Sequence, residues 1–416
     1  MKMDLNLQIV IGALLGVAAG VALAAAGPSS SPAAGIIYFA GLAGGVFVSL
    51  LKMVLIPLVF TSITVGIANL RAHAQMDKVW KYTLGYYFTT TALAVVLGLI
   101  AVNIFRPGHG QEIAMFREAA APSDLQQLSA GQFMENFLKE LFINPVEAMA
   151  GGQVLPTIIF ALFLGIALVM LGDKARTVLN FMNEFFEIIM KIVGWIMAVL
   201  PFGIFCLLAK LIATQDAGLF VSLGKFIAVV IGATLFHGFV TLPAILVVFG
   251  KKPLREYYQG VKEALITAFS TASSSATLPV TYRCMTSNLK VDKDVAGFVL
   301  PLGATINMDG TAMYEAVAAL FIANLAGIEL NIVQQIIVFF MAILASIGAP
   351  GIPSAGMVTM VMVLQSVGLP AEGIAVLLPV DRFLDAFRTM VNVKGDTIGS
   401  IIVDRMTSHG GLARKL

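Results

Sequence analysis

Charge is the scarcest ingredient of this sequence. Only 12% of its 416 residues are Asp, Glu, Lys or Arg, against about a quarter in soluble domains. With 58% of residues hydrophobic, a water-soluble domain is excluded and an integral membrane protein is indicated. Cysteine is nearly absent. Cys206 and Cys284 fall in different segments and provide neither a disulfide framework nor metal-ligand spacing. A net charge of +2 suggests no nucleic-acid partner. Short alternating strands are missing as well, and the long apolar runs speak against an outer-membrane barrel. The first run has no basic stretch before it beyond Lys2 and is too long for a signal h-region, so it is expected as a retained first helix.

What is present is a series of long apolar runs. Eight are expected to cross a bilayer: Leu7–Ala26, Ile36–Leu70, Val79–Phe105, Val154–Leu171, Val178–Ala213, Phe220–Phe249, Val295–Ala326 and Leu377–Val403. Two more are interrupted. Glu263–Leu289 contains a Ser/Thr/Pro run, and Ile332–Val367 contains SIGAPGIPSAG. Lys and Arg gather at 71–81, 174–176, 251–262, 283–293 and the C-terminus, whereas 27–35, 214–218, 327–331 and 368–373 carry none. Positive loops face the cytoplasm. The alternation works only if the two interrupted runs enter and return, one from each face, with both termini cytoplasmic. Hairpin tips at membrane depth are tolerated where they are buried in protein or line a wet cavity. A hairpin followed by a helix, twice and in opposite orientation, is an inverted repeat with its site near the midplane. The stretch 107–140 mixes both signs with Pro, Gly, Ser and Gln and reads as an external loop.

The last run is the odd one. It holds Asp381, Arg382, Asp385, Arg388, Asn392, Lys394 and Asp396. A charge at the bilayer centre costs about 2.5–3.5 kcal/mol on insertion scales, so such groups face protein or an ion path. Asp381, Asp385, Arg388, Asn392 and Asp396 are three or four residues apart, which at about 100° per residue puts them on one stripe. Lys394 sits on the opposite side of the helix and is expected to snorkel toward lipid or cytosol. His237, in the middle of the sixth run, is expected to serve packing rather than proton relay.

Three motifs interrupt the apolar runs. Thr271-Ala272-Ser273-Ser274-Ser275-Ala276-Thr277-Leu278-Pro279 places hydroxyls and freed amides at a hairpin tip, where they can bind a carboxylate. Asn307-Met308-Asp309-Gly310-Thr311 breaks the seventh run. Its side-chain and freed backbone oxygens are hard donors suited to a dehydrated Na⁺. Ser346 to Gly356 has three glycines, Gly356 among them, and two prolines, so it is non-helical and is the better candidate for a moving gate. Ser273–Ser275 are conceivable nucleophiles, but no His or Lys stands in a recognisable base position, so no enzyme is expected.

The ordered set SSS-x-TLP, NMDGT, SIG-x-x-G-x-P-x-AG and D-x-x-x-D-x-x-RT-x-x-N-V-x-GD resembles the dicarboxylate/amino acid:cation symporters, and KMVLIPLVFTSI at Lys52–Ile63 extends the likeness over nearly the whole chain. The resemblance implies an all-α polytopic membrane protein with eight transmembrane helices, two re-entrant hairpins and inverted repeats, working as an elevator-type transporter. It implies scaffold helices over 1–78, helix 3 of a transport domain over 79–106, an external loop and scaffold helices over 107–213, and the rest of the transport domain over 214–416. Hairpin 1 would span about 256–290 and hairpin 2 about 331–367. It also implies a homotrimer in the plasma (inner) membrane, among lipids, importing L-aspartate or L-glutamate with Na⁺ as the co-transported ion.

By the same resemblance, Arg388 pairs with the substrate side-chain carboxylate, whose geometry a guanidinium matches bidentately. Asp385 accepts the substrate ammonium. Ser273, Ser274, Ser275, Thr389 and Asn392 surround the α-carboxylate, with Met308, Thr311, Ile352 and Gly356 completing the pocket. Without substrate, Asp385 and Arg388 can pair at i, i+3. One Na⁺ site uses Gly303, Asn307, Asn392 and Asp396. A second uses Tyr87, Thr90, Thr91, Asn307 and Asp309. A third uses backbone oxygens of Thr305, Met308, Ser346, Ile347 and Ala349. Glu315 matches the acidic residue of members that also move protons and is a candidate proton carrier. Two arginine positions of relatives are occupied here by Ala272 and Ala386, and Arg382 is the nearest replacement charge. A proton-coupled glutamate/aspartate or C4-dicarboxylate symporter is the alternative, and an anion channel is the remaining class.

Overall fold

The computed structural model describes residues 5–28, 30–69, 77–110, 139, 142–214, 217–348 and 356–408, and these are helices and their connections. The first three helices, α1 (Leu5–Ala26), α2 (Ser31–Asn69) and α3 (Asp77–Phe105), coincide with the first three apolar runs. A short α4 (Pro145–Ala150) is capped by Asn144, whose side chain accepts from the Val146 and Glu147 amides. Then come α5 (Val154–Leu171), α6 (Arg176–Ala198) and α7 (Leu200–Thr214). The run Val178–Ala213, expected as a single crossing, is therefore two helices. A single turn residue, Val199 (φ −93°, ψ −2°), separates them, and Pro201 has no amide to continue the ladder.

α1, α2, α5, α6 and α7 pack on one another. Gly12, Gly16 and Gly20 form a small-residue stripe along α1, with one glycine every fourth residue. A Cβ on Gly12 would lie 2.4 Å from the Pro201 carbonyl oxygen, and one on Gly16 would lie 2.8 Å from that of Phe205. The missing side chains let α1 and α7 touch backbone to backbone, as membrane helices do where no hydrophobic effect drives association.

α8 (Ala217–Phe236) passes through a π-helical turn at His237–Thr241 into α9 (Leu242–Ile245) and a second such turn at Leu246–Gly250. α10 (Leu254–Thr271) and α11 (Ser274–Arg283) form a helical hairpin that turns at Ala272, left-handed at φ +46°, and Ser273. The antiparallel arms are tied by Arg283–Glu263 at 2.6 Å and by Asn288 donating to the Gly260 carbonyl at 2.9 Å. α12 (Lys293–Ile306) and α13 (Asp309–Leu325) are the halves of one broken helix. α14 (Ile332–Gly348) and α15 (Gly356–Ser366) pack as a second helix pair. α16 (Ile374–Ser408) runs through the middle of this group, in contact with α3, α8, α10, α12 and α13.

Among the described residues, five stretches are long and apolar enough to cross a membrane: Leu7–Ala26, Pro32–Ala68, Lys78–Phe105, Pro156–Ala198 and Gly218–Gly250. Large apolar side chains such as Ile104 and Trp195 lie on the outside, as expected where lipid replaces water. α16 has the length, with 35 residues or about 52 Å, but its charges keep it from reading as apolar. Its polar face points inward. Asp381, Asp385, Arg388, Asn392, Lys394 and Asp396 are all buried.

Candidate functional site

The site lies where α16 crosses the break between α12 and α13. The chain leaves the helix at Asn307 (φ −98°, ψ 80°) and Met308 (φ −114°, ψ 60°) and re-enters it at Asp309. The break sets the carbonyl end of one half-helix beside the amide end of the other, freeing backbone groups for ligands. Two glycines allow the approach. A Cβ on Gly310 would lie 2.8 Å from the Cα and carbonyl oxygen of Arg388. One on Gly303 would lie 2.2 Å from Asp396 Oδ1 and 2.5 Å from the Tyr87 hydroxyl. Asn392 then stitches the crossing, accepting from the Gly310 amide at 2.8 Å and donating to Thr311 Oγ1 at 3.2 Å.

Arg388 is fully buried. Its Nη2 donates to Asp381 Oδ1 at 2.7 Å and to Asp385 Oδ1 at 2.8 Å, and its guanidinium lies 3.9 Å over the Tyr314 ring. Nε and Nη1 have no hydrogen-bond partner among the described residues. Nη1 faces Gly356, 3.9 Å from where a Cβ would stand. A buried guanidinium with two unused donors costs free energy until an acceptor arrives, and a planar fork suits a carboxylate. Asp385 is shared, because its Oδ2 lies 3.5 Å from Arg382 Nη1. Arg382 also donates to the Thr271 carbonyl at 3.1 Å, a cation on the carbonyl end of α10. Arg382 thus connects the tip of the first hairpin to Asp385.

Beside this lies a cluster of hard oxygens. Thr91 Oγ1 donates to Asp309 Oδ1 at 2.7 Å, and Thr90 Oγ1 reaches Asp309 Oδ1 at 3.3 Å and Asn307 Oδ1 at 3.4 Å. Asn307 Nδ2 donates to Asp396 Oδ1 at 2.9 Å. His237 Nε2 lies 3.0 Å from Asp309 Oδ2. These groups are sealed from solvent. Tyr87 is buried beside them, its hydroxyl donating to the Val299 carbonyl at 2.7 Å. The donor set is carboxylate, amide and hydroxyl oxygen, which suits an alkali cation over a transition metal.

The other expected residues are distributed as follows. Ser273 caps α11, accepting from the Ala276 amide at 3.1 Å, and Ser274 is buried next to it. Ser275 is exposed. Met308, Thr311, Thr389 and Gly356 are buried, and Gly356 packs on Thr311. Ser346 is buried, Ile347 is half-buried, and Thr305 is exposed with its hydroxyl on the Leu302 carbonyl. Ile352 and Ala349 lie outside the described residues. Glu315 is buried; its Oε1 accepts from Thr359 Oγ1, and its Oε2 has no partner among the described residues.

Lys394 overturns an expectation. It does not snorkel. It is fully buried, its Nζ donates to the Tyr258 hydroxyl at 2.7 Å, and it stands over the Phe239 and Tyr258 rings at 4.1 and 4.4 Å. The face opposite the charged stripe meets α8 and α10 instead of lipid, and the aromatic rings partly replace water. Sequence reasoning put Asp381 on the stripe without naming it as a partner of Arg388, and it missed Tyr314 and Thr359. Asp381 is seven residues from Arg388, two turns along one face, which is the spacing that put both on the stripe. Tyr314 and Thr359 come from other helices and had no sequence signal.

A buried broken-helix site with an oxygen cluster beside a buried guanidinium is the construction of a membrane transporter. Comparison with known proteins makes this specific. The family model described as the sodium:dicarboxylate symporter family matches residues 5–406, and the chain belongs to that family. It is 37% identical to mouse excitatory amino acid transporter 3 over 97% of this chain and 85% of the relative. It is 37% identical to human excitatory amino acid transporter 2 over 97% and 79%, and 38% identical to an excitatory amino acid transporter of Caenorhabditis elegans over 88% and 81%.

Proposed function

We propose that this chain imports an acidic amino acid, aspartate or glutamate, coupled to inward Na⁺ flux. The observation that carries this reading is Arg388, a buried guanidinium with two donors that have no partner among the described residues, next to the Asp309–Asn307–Asp396 oxygen cluster. The substrate side-chain carboxylate takes Nε and Nη1. Asp385, displaced from Arg388, takes the ammonium. Asn392, Thr389 and the Ser273–Ser274 tip receive the α-carboxylate, with Thr311, Met308, Ile352 and Gly356 closing over it. The names of the similar proteins support an acidic amino acid as cargo.

Na⁺ is cargo as well. Asp309, Asn307, Thr90, Thr91 and Tyr87 form one set, and Asp396, Asn392, Asn307 and Gly303 a second. A third is made of carbonyls at Thr305, Met308, Ser346, Ile347 and Ala349. Asn392 belongs to both the cargo and the ion sets, which couples them, since each ligand favours the arrangement the other needs. Residues 1–78 and 107–213 form a scaffold; 79–106 and 214–416 move against it as an elevator in a homotrimer of the inner membrane, with both termini cytoplasmic. The helix pair at 331–367 is the outer gate.

Uptake of radiolabelled aspartate and glutamate into liposomes, with Na⁺, H⁺ and K⁺ gradients imposed one at a time, tests this. Saturable uptake driven by inward Na⁺ is expected. Uptake indifferent to Na⁺, or a preference for succinate, would overturn it. A second reading, that a proton travels too, is favoured by the buried Glu315, whose Oε2 has no partner among the described residues and which lies near Gly356.

A further inference from the structure

Between α3 and the start of α14 lies a cleft that the transport site does not use. Its upper part is a polar chamber of about 160 Å³ lined by Asn103, Arg106, His109, Glu329 and Gln335. Its lower part is an apolar groove of about 460 Å³ between Leu99, Ile100, Ile104, Ile336 and Phe339. Asn103 and Gln335 line both. They form an amide pair at the waist, Asn103 Nδ2 donating to Gln335 Oε1 at 2.8 Å with the reciprocal bond at 3.4 Å. The groove faces the outside of the molecule, with Ile104 68% and Ile336 46% exposed. The chamber walls are held in place. Asn324 donates to the Pro107 carbonyl at 2.8 Å, and Gln335 Nε2 donates to the Leu330 carbonyl at 3.0 Å.

The order of chemistry along this cleft is that of a lipid. From mid-helix outward, α3 presents Leu99 and Ile100, then Asn103, then Arg106 and His109 just past its end. Glu329 and Gln335 stand opposite. A soluble ion would need the chamber alone, whereas a chamber opening into a membrane-facing apolar groove fits a headgroup with its chain attached. The chamber carries both signs. Arg106 supplies guanidinium donors for a phosphate. Glu329, 3.9 Å from His109, supplies a carboxylate that can accept from an N–H-bearing ammonium. A quaternary ammonium has no such proton to give, and a purely anionic headgroup leaves Glu329 opposed to it.

We propose that this cleft binds one phospholipid whose headgroup carries both a phosphate and a primary ammonium, with an acyl chain in the groove between α3 and α14. The phosphate pairs with Arg106, the ammonium with Glu329, and the Asn103–Gln335 pair meets the ester region. Because α14 is the first arm of the proposed gate, the lipid restrains that arm. This second consequence rests on the transport reading above, whereas lipid binding itself does not.

The test uses the full chain reconstituted into vesicles of phosphatidylcholine containing equal shares of phosphatidylethanolamine and phosphatidylglycerol, followed by extraction and native mass spectrometry. The unmodified protein is expected to retain one phosphatidylethanolamine per chain in preference to phosphatidylglycerol. Arg106→Gln, which removes a charged contact, and Ile336→Trp, which fills the groove, are each expected to lower retention about tenfold or more. Both positions are exposed, so the fold tolerates the changes. Equal retention by the unmodified protein and both variants overturns the proposal. So does a preference for phosphatidylglycerol, or binding of free phosphoethanolamine as tight as that of the lipid, which would make the ligand a soluble zwitterion. Retention is read without any transport, so its failure is distinct from a failure of the aspartate or glutamate reading.

Discussion

His237 Nε2 lies 3.0 Å from Asp309 Oδ2, with both side chains sealed from solvent. On the other side of the carboxylate, Thr91 holds Oδ1 at 2.7 Å. Asp309 is thus held from two sides, and on the proposed reading the histidine in the π-helical turn after α8 positions a cation ligand. Replacing His237 with Phe is expected to weaken the Na⁺ dependence of uptake by about tenfold, the worth of one charge-assisted bond, with little change in substrate affinity at saturating Na⁺. A Na⁺ titration at fixed substrate, repeated at high Na⁺, separates the two. An unaltered Na⁺ midpoint would show that His237 is packing alone.

On the proposed reading, Arg388→Cys removes the group to which the substrate side chain binds. Losing one partner of a buried charge pair costs about 2–5 kcal/mol, so aspartate uptake should fall by roughly thirtyfold or more. Small neutral amino acids, which bring no second carboxylate, should now compete. Competition assays against serine, alanine and aspartate decide the matter. Aspartate affinity retained in the variant contradicts the role given to Arg388.

Gly303→Ala forces a methyl to within 2.2 Å of Asp396 Oδ1. Overpacking of this kind costs about 1–3 kcal/mol, and here it also displaces an oxygen of the ion cluster. A lower thermal midpoint in detergent together with a weaker response of that midpoint to added Na⁺ is expected. A methyl tolerated without either effect would mean that α12 and α16 can separate freely.

Lys394 and Tyr258 make a separate test. The hydroxyl of Tyr258 is the only hydrogen-bond acceptor of the ammonium among the described residues. Tyr258→Phe should therefore destabilise by about 1–3 kcal/mol. Lys394→Met replaces a buried charge with an apolar chain of similar length and should be neutral or stabilising. Thermal denaturation of the two variants is expected to give shifts of opposite sign, or a loss in the first and no shift in the second.

Glu315→Gln addresses the proton. If a proton travels with the substrate, uptake by the unmodified chain rises as external pH falls, and the amide variant loses that dependence. The same pH profile in both excludes Glu315 as the carrier.

How far these residues could be foreseen depended on whether their partners lie on the same helix. The stripe from Asp381 to Asp396 was legible because buried charges in an apolar run are costly and helical spacing aligns them. The break at Asn307–Asp309 was legible because Gly310 and the polar residues flank it. The separation of α6 from α7 was hidden inside an apolar run, where hydropathy gives no boundary and Pro201 sits at the second position of α7 without marking the residue that bends. Lys394 was misplaced because the wheel gives direction but not neighbours. Phe239 and Tyr258 come from helices well over a hundred residues earlier in the chain. The same limit hid the link from Arg382 to Thr271.

Asn392 uses its carbonyl oxygen on the Gly310 amide and its nitrogen on Thr311, so one side chain fastens the broken helix to the helix that carries Arg388. An engineer wishing to retune this transporter for a different organic cargo would find its two flanks unequal. Changes at Thr359 leave that fastening alone, whereas a side chain added at Gly356 would press on Thr311. Changes at Asn392 or Thr311 would alter the ion requirement along with the cargo, and substitutions there should show strong epistasis with those around Asp309.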